Sequence, residues 1–457
     1  MKILMAVLPA TGHINPMLAV GNVLMAGGHE IVCLSGTWLR ERIEKAGMQF
    51  RALEGAADVD PRDILAVVPE LKDIPPGLDW MRIAIDRFFI ERIVPQHESL
   101  QAVLRTFPAD LIITDDMFFG VLPMALGPRA ERLPLIMCGT SFLHWCRDDG
   151  APHFFGLPPA ATAADREKYA GIADEFDRIV HQPSLRGLKR VLKEFGVEPP
   201  TLPLFDAVVA LADAYLQLSV PGFEYPRPIP PTVHFVGTPP IITKQAPLPA
   251  WANDLDGSRK VVLVTQGTVA NHNLGLLVAP TLAGLANEPD VLVVATTGGR
   301  AIEEIPGQIP ANARVSTYLP FEWLLPKVDV LVTNGGYGSV NQALSFGIPI
   351  VTAGLTEDKA DVNARVAWSG VGINLATNEA SPAAVREAVR AVLDTPRYRA
   401  RAAEMAAEFG STDARAEILR IIEQVVKDAK QGGAMDRKAM QPGAGANRGK
   451  QPAMKSL

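Results

Sequence analysis

From its first residue the chain alternates short apolar runs with stretches that carry apolar residues at helical spacing. KILMAVL at 2–8 reads as a strand, PMLAVGNVLMAG at 16–27 as a helix stopped by Gly27 and Gly28, and EIVCLS at 30–35 as the next strand. DLIIT at 110–114 and LPLIMC at 133–138 repeat the strand signal, with helical spacing over 78–105 between them. Strands this uniformly apolar are buried on both faces, so the pattern predicts a parallel sheet with helices on each side. Between Ser219 and Pro249 the chain becomes dense in proline, which disfavours helix interiors and central strands alike. A second strand-helix series follows, with strands at 260–265, 290–295, 313–317, 329–333 and 348–352. The expected architecture is therefore α/β, with two Rossmann-like doubly wound domains, 1–222 and 250–412, joined by a Pro-rich linker at 223–249. Ile418, Leu419, Ile421, Ile422, Val425 and Val426 share one face of a helix over 413–430 that must dock, and the expected place is the N-terminal domain. Residues 431–457 have no period and read as a disordered tail.

Composition narrows the function classes. Of 457 residues 48% are hydrophobic and 21% charged, which suits a folded chain of more than one domain. Lys and Arg number 44 against 50 Asp and Glu, a net charge of −6, so no basic field exists to hold nucleic acid. The tail carries five basic residues and one acid, leaving −10 for residues 1–430. Cys33, Cys138 and Cys146 have neither metal-ligand nor disulfide-framework spacing, which fits a reducing, cytoplasmic setting. The apolar start is too short for a secretion signal, and no run reaches the eighteen or so apolar residues of a membrane helix, so stable membrane insertion is not expected.

Three places could carry chemistry. In LPATGHINP at 8–16 a strand gives way to a helix at the sheet's carboxyl edge, where ligands of open α/β sheets bind. Gly12 permits unusual backbone angles, Pro16 suits a first helical turn, and His13 between them can take a proton from a hydroxyl or simply cap the helix. Asp115 and Asp116 follow the strand DLIIT at the same kind of edge; either could orient the imidazole, and either could cap the next helix. In DVLVTNGGYGSVNQALSFGIPIV at 329–351, Gly335, Gly336 and Gly338 precede a helix opening near Ser339. Such a turn brings free amides to a diphosphate, although glycine also serves tight turns for steric reasons alone. The following GLTEDKADVNARV places Glu357, Asp358, Lys359, Asp361 and Asn363 in what reads as one polar loop.

The segment TNGGYGSVNQALSFGIPIVTAGLTEDKADVNARVAWSGVG resembles the donor-binding signature of family 1 glycosyltransferases of the GT-B fold. LPATGHINPMLAVGNVLMAGGHEI is similar to that family's N-terminal signature, and KVVLVTQGTVA and RVSTYLPFEWLLPKVDVLVTNGG to its phosphate-contact and nucleobase segments. The resemblance covers residues 1–430 and is weak from about 55 to 220, where the family builds its acceptor pocket. It implies two domains facing across a cleft, with His13 deprotonating the acceptor and Asp115 supporting it, Asp116 being the alternative. It places Gly12, Gly267, Thr268, Asn334, Gly336, Gly338 and Ser339 around the donor diphosphate, Tyr318 on the base, Gln342 at the ribose, and Asp358 and Lys359 at the sugar. Three positions depart from the family pattern: Asn334 stands for a histidine, Gln342 for a glutamate and Lys359 for a glutamine, so donor base and sugar stay open.

The function so implied is inverting transfer of a hexose from a nucleoside-diphosphate sugar, UDP-linked by expectation, to a hydroxyl of an apolar natural product, terpenoid or lipid. No cofactor and no metal is implied. The alternatives are a catalytically silent nucleotide-sugar-binding subunit and a nucleotide-sugar epimerase. Phe88, Phe89, Phe154 and Phe155 are candidates for a greasy acceptor pocket, with core packing explaining them equally well. His144 and His153 read as ordinary polar residues.

Overall fold

A computed structural model describes residues 1–240, 247–268 and 271–439; part of the expected linker and residues 440–457 of the expected tail lie outside them. Two all-parallel sheets organise the chain. The first has seven strands, β1 (Lys2–Ala6), β2 (Glu30–Ser35), β3 (Gln49–Ala52), β4 (Leu111–Asp115), β5 (Leu135–Gly139), β6 (Ala214–Gln217) and β7 (Val233–Phe235), in the order 3-2-1-4-5-6-7. The second has six, β8 (Lys260–Thr265), β9 (Val291–Thr296), β10 (Ala313–Ser316), β11 (Val330–Thr333), β12 (Ile350–Thr352) and β13 (Gly372–Asn374), in the order 10-9-8-11-12-13.

Both faces of each sheet are covered, which is why the strand text is continuously apolar. Leu4 and Ala6 of β1 join one core while Ile3 and Met5 join another on the opposite face. Val261 and Leu263 of β8 are split from Val262 and Val264 in the same way. Strand order reverses between β1 and β4 in the first sheet and between β8 and β11 in the second. At such a reversal the connecting helices leave in opposite directions and open a crevice beyond the strand ends.

Three sequence expectations shift. The first helix runs Thr11–Ala26, so Pro16 sits in its second turn and His13 in its first. Proline there forgoes one backbone bond, yet the chain enters helical geometry earlier because the Ala10 carbonyl accepts from both the His13 and Ile14 amides. The segment expected to be linker supplies β7, which pairs only with β6; an edge strand tolerates flanking prolines because its outer side needs no ladder bond. The last helix runs Ala414–Ala439, past the expected end at 430. Its Ile418, Ile421, Ile422, Val425 and Val426 complete the core formed by Ile3, Met5, Ile14 and Val20, so the last of the described helices closes the first sheet. Among the described residues no helix is long and apolar enough to cross a membrane.

Candidate functional site

The reversal point of the first sheet carries a histidine and two carboxylates. His13 follows β1 and Asp115 ends β4, and the two meet with Nδ1 and Oδ1 2.9 Å apart. Asp115 is fully buried and its geometry is fixed by backbone donors: the Leu8 amide reaches Oδ2 at 2.6 Å and the Met117 amide reaches Oδ1 at 3.0 Å. The Thr140 hydroxyl lies 2.9 Å from the same His13 Nδ1 and donates to Asp116 Oδ1 at 3.1 Å. Asp116 also accepts from the Tyr215 hydroxyl at 3.0 Å and faces His144 Nδ1 at 3.3 Å. With Thr140 turned toward Asp116 and Asp115 ionised, the proton of His13 belongs on Nδ1, which leaves Nε2 as the lone-pair nitrogen. Burial opposes a charged His13, but the Asp115 carboxylate, by charge and by hydrogen bond, holds its pKa above the ordinary 6.5, helped by Asp116 and Asp358. The imidazole is not sealed off, with 21% of its side-chain surface exposed.

Thr140 and Ser141 were missed in the sequence although only Gly139 separates them from the strand read at 133–138. Ser141 looks the other way from Thr140: its hydroxyl donates to Asp358 of the second domain. Further bonds join the domains here, from Gln217 Nε2 to the Tyr337 hydroxyl at 2.7 Å and from the Ser219 hydroxyl to Asn341 Oδ1 at 2.6 Å.

The reversal point of the second sheet is built from glycine turns. Gly267 follows β8 with φ 69°, and Asn271 Nδ2 ties its carbonyl to those of Thr297 and Gly298 after β9; Thr268 beside it is half-buried. After β11, Gly335 takes φ 99°, and a Cβ there would lie 1.9 Å from Asn363 Oδ1, so both backbone angle and space require glycine. Gly336 precedes the helix Tyr337–Ser345, whose first turn has no side-chain cap. The first amides of that helix therefore lack intrahelical partners. A Cβ on Gly336 or Gly338 would meet nothing within 4 Å, nor would one on the exposed Gly12 opposite. Ser339 and Gln342 are half-buried on the same helix.

Several expected residues are placed differently from the sequence reading. Asn334 is buried and its Nδ2 donates to the Gln266 carbonyl at 2.7 Å, bridging the β8 and β11 turns. The polar stretch after β12 is mostly helix, Lys359–Trp368, because Ala360, Val362, Ala364 and Val366 are needed for packing. Asn363 bonds the Asn334 and Gly354 carbonyls, and Asp361 faces Arg365 and the Gly156 amide, so both are structural. Asp358 and Lys359 stay at the cleft. Burial raises the Asp358 pKa and pushes the Lys359 ammonium, which contacts Glu357, down to about 8. Tyr318 is 66% exposed and its ring lies over the Gly298–Gly299 turn, where a Cβ on Gly299 would be 2.4 Å from the hydroxyl.

Of the four phenylalanines, Phe154 alone lines the apolar cavity of the first domain, beside Phe176 and Phe205. Phe88 is buried and packs edge-on against Phe89 at 4.9 Å, and Phe89 stacks toward Phe119; both belong to the core. Phe155 turns to Phe176 at 5.8 Å outside the lining. For Phe88 and Phe89 this is the core packing that the sequence offered as the equal alternative to a pocket.

Residues 281–425 match the family described as Erythromycin biosynthesis protein CIII-like, C-terminal domain. Over 431 residues the chain is 39% identical to 4'-demethylrebeccamycin synthase of Lentzea aerocolonigenes, covering 93% of this chain and 99% of that one. The chain is a family 1 glycosyltransferase. A second relative, UDP-glycosyltransferase 2 of Phaeomoniella chlamydospora, is 36% identical over 441 residues, 93% of this chain and 95% of its own. The GT-B fold of this glycosyltransferase is that of the calicheamicin glycosyltransferase CalG4 (TM-score 0.69, 19% identity, 93% and 98% of the two chains) and of VinC in complex with dTDP (0.64, 21%, 93% and 100%).

Among the described residues His13, Asp115 and Asp116 also have the spacing to hold a metal ion, with ligand atoms within 4.8 Å of one another. In this glycosyltransferase those carboxylate oxygens already accept the hydrogen bonds given above, so a cation would have to displace them.

Proposed function

We propose that the protein transfers a hexose, with inversion, from a nucleoside-diphosphate sugar to a hydroxyl of an apolar acceptor, with His13 as general base and no metal. The observation that carries this reading is the buried Asp115 held between two backbone amides and the Nδ1 of a partly exposed His13. Asp115 fixes the tautomer and stabilises the imidazolium that forms. The acceptor O–H gives its proton to Nε2 while its oxygen attacks the anomeric carbon. The bond to the diphosphate breaks with its electron pair going to the leaving oxygen. Displacement in one step from the opposite face inverts the anomeric centre. Negative charge grows on the diphosphate, and uncapped amides of the helix Tyr337–Ser345 with the Gly335–Gly336 and Gly267–Thr268 turns meet it, fixed dipoles that need no reorganisation. Asn334 supports this by locking the two turns together, a positional task in place of direct contact.

Asp358, in reach of Ser141, and Lys359 face the donor sugar. Tyr318 offers a ring to the base, and Gln342 a neutral amide to the ribose. The acceptor enters from the first domain beside His144 and Phe154. Contacts across the cleft at Ser141, Gln217 and Ser219 exclude water that would hydrolyse the donor. The test is the product anomer: an α-linked UDP- or TDP-glucose donor is expected to yield a β-glucoside by proton NMR, and an α-glucoside would overturn single displacement.

A further inference from the structure

His13 Nδ1 has a second partner besides Asp115. The Thr140 hydroxyl lies 2.9 Å from that nitrogen, as close as Asp115, and behind it stands another buried carboxylate, Asp116. Asp116 follows β4, Thr140 follows β5, and Tyr215, which anchors Asp116, belongs to β6, so three neighbouring strands of the first sheet converge on this point.

Asp116 is surrounded by donors. Its Oδ1 accepts from the Thr140 hydroxyl at 3.1 Å and the Thr140 amide at 3.4 Å; its Oδ2 accepts from the Tyr215 hydroxyl at 3.0 Å and faces His144 Nδ1 at 3.3 Å. Burial opposes its charge, but the His144 and Tyr215 contacts hold its pKa below the ordinary carboxylate value, so it is ionised and can only accept. His144 Nε2, packed against Phe142, Phe154 and Phe205 and without a partner, is then the bare nitrogen of its ring. Room for this arrangement is built into the backbone. A Cβ on Gly139 would lie 2.7 Å from the Tyr215 hydroxyl, so a larger residue there would displace the group that anchors Asp116.

A hydroxyl beside a ring nitrogen can donate or accept. A Thr140 hydrogen turned toward Nδ1 would oppose the N–H that Asp115 requires there. Ionised Asp116 claims that hydrogen, so Nδ1 faces two acceptors. As positive charge develops on the imidazole, the Thr140 oxygen accepts more strongly because its own proton is drawn toward a carboxylate.

We propose that Asp116 and Thr140 are positioning residues for the transfer, a second arm that acts through His13 Nδ1 alongside Asp115. The proposal rests on His13 being the base. Its bonds strengthen with the imidazolium, so the arm contributes to kcat more than to KM.

The probes are two acceptors of similar shape, 4-phenylphenol and 4-phenylbenzyl alcohol, assayed with the full chain and UDP- or TDP-glucose. Thr140→Val keeps the side chain's shape and is expected to lower kcat for the alcohol by about three- to tenfold, the value of one hydrogen bond, with KM little changed. The phenol gives up its proton more readily and is expected to lose less. Thr140→Ser, which restores the hydroxyl, is expected to stay within about twofold of the wild type. Asp116→Asn is expected to resemble Thr140→Val, and the double variant to lose less than the product of the two, as residues in one chain of bonds do. Equal losses for both acceptors, losses that multiply, or a Thr140→Ser variant no better than Thr140→Val would mark a structural role and overturn the proposal. So would an unchanged kcat in Thr140→Val where His13→Ala abolishes transfer. Transfer that ignores His13→Ala would instead overturn the underlying reaction.

Discussion

At Nδ1 of His13 two partners compete to define one proton, and both place it on the same nitrogen. A base must be neutral to act, so kcat/KM is expected to rise with pH through a value above 6.5, because Asp115 stabilises the protonated form. Asp115→Asn removes that stabilisation: the acid limb moves to lower pH, and kcat falls by roughly 10²–10⁴-fold, the span of general-base assistance. An acid limb that stays in place in the variant would show that another group titrates. Lys359 provides an independent check on the donor side. Its ammonium is lost as pH passes about 8, so KM for the nucleotide sugar is expected to climb above that pH and to become flat in Lys359→Met. A profile unchanged by the substitution would remove Lys359 from donor binding.

Strand ends and the turns that follow them explain most of the site. Gly335 and Gly338 are three residues apart yet make opposite demands. Gly335→Ala is strained at φ 99° and collides with Asn363, so a loss of about 1–3 kcal/mol is expected from denaturant melts. Gly338→Ala has open space in a helical turn and is expected to be neutral or to add about 0.5–1 kcal/mol, while raising KM for the donor by crowding the diphosphate. Equal stability losses in the two variants would contradict the difference. The strands legible in the sequence, such as β1, β4, β8 and β11, are those buried on both faces. β3, β7 and β13, which escaped notice, are edge strands only partly buried, and β6 escaped as well although it is buried throughout. His13 and Asp115 were legible for a positional reason, since both follow apolar strands of one sheet. Thr140 and Ser141 obeyed the same rule after β5.

The whole molecule is held together by what passes between its halves. Arg365 of the second domain is fully buried, pairs with Glu224 at 3.1 Å and lies over the Phe142 and Tyr225 rings, while Glu224 accepts from the Leu143 amide of the first. Arg365→Ala leaves Glu224 buried with Arg227, at 3.4 Å, as its remaining ion pair, and a loss of about 3 kcal/mol, the low end for a broken buried pair, is expected in thermal unfolding. Ile422→Ala, on the helix that crosses back to the first sheet, is expected to cost about 2–5 kcal/mol for the cavity it opens. The Ser141 hydroxyl of the first half donates to Asp358 of the second, and in the proposed reaction this contact sets the donor sugar beside His13. The most direct measurement of that convergence is nucleoside diphosphate release by the purified chain, with UDP- and TDP-sugars against apolar hydroxylated acceptors, beside His13→Ala. Release that depends on the acceptor and falls by roughly 10²–10⁴-fold in the variant is the expected result. Release at the same rate in both proteins would contradict a base at His13.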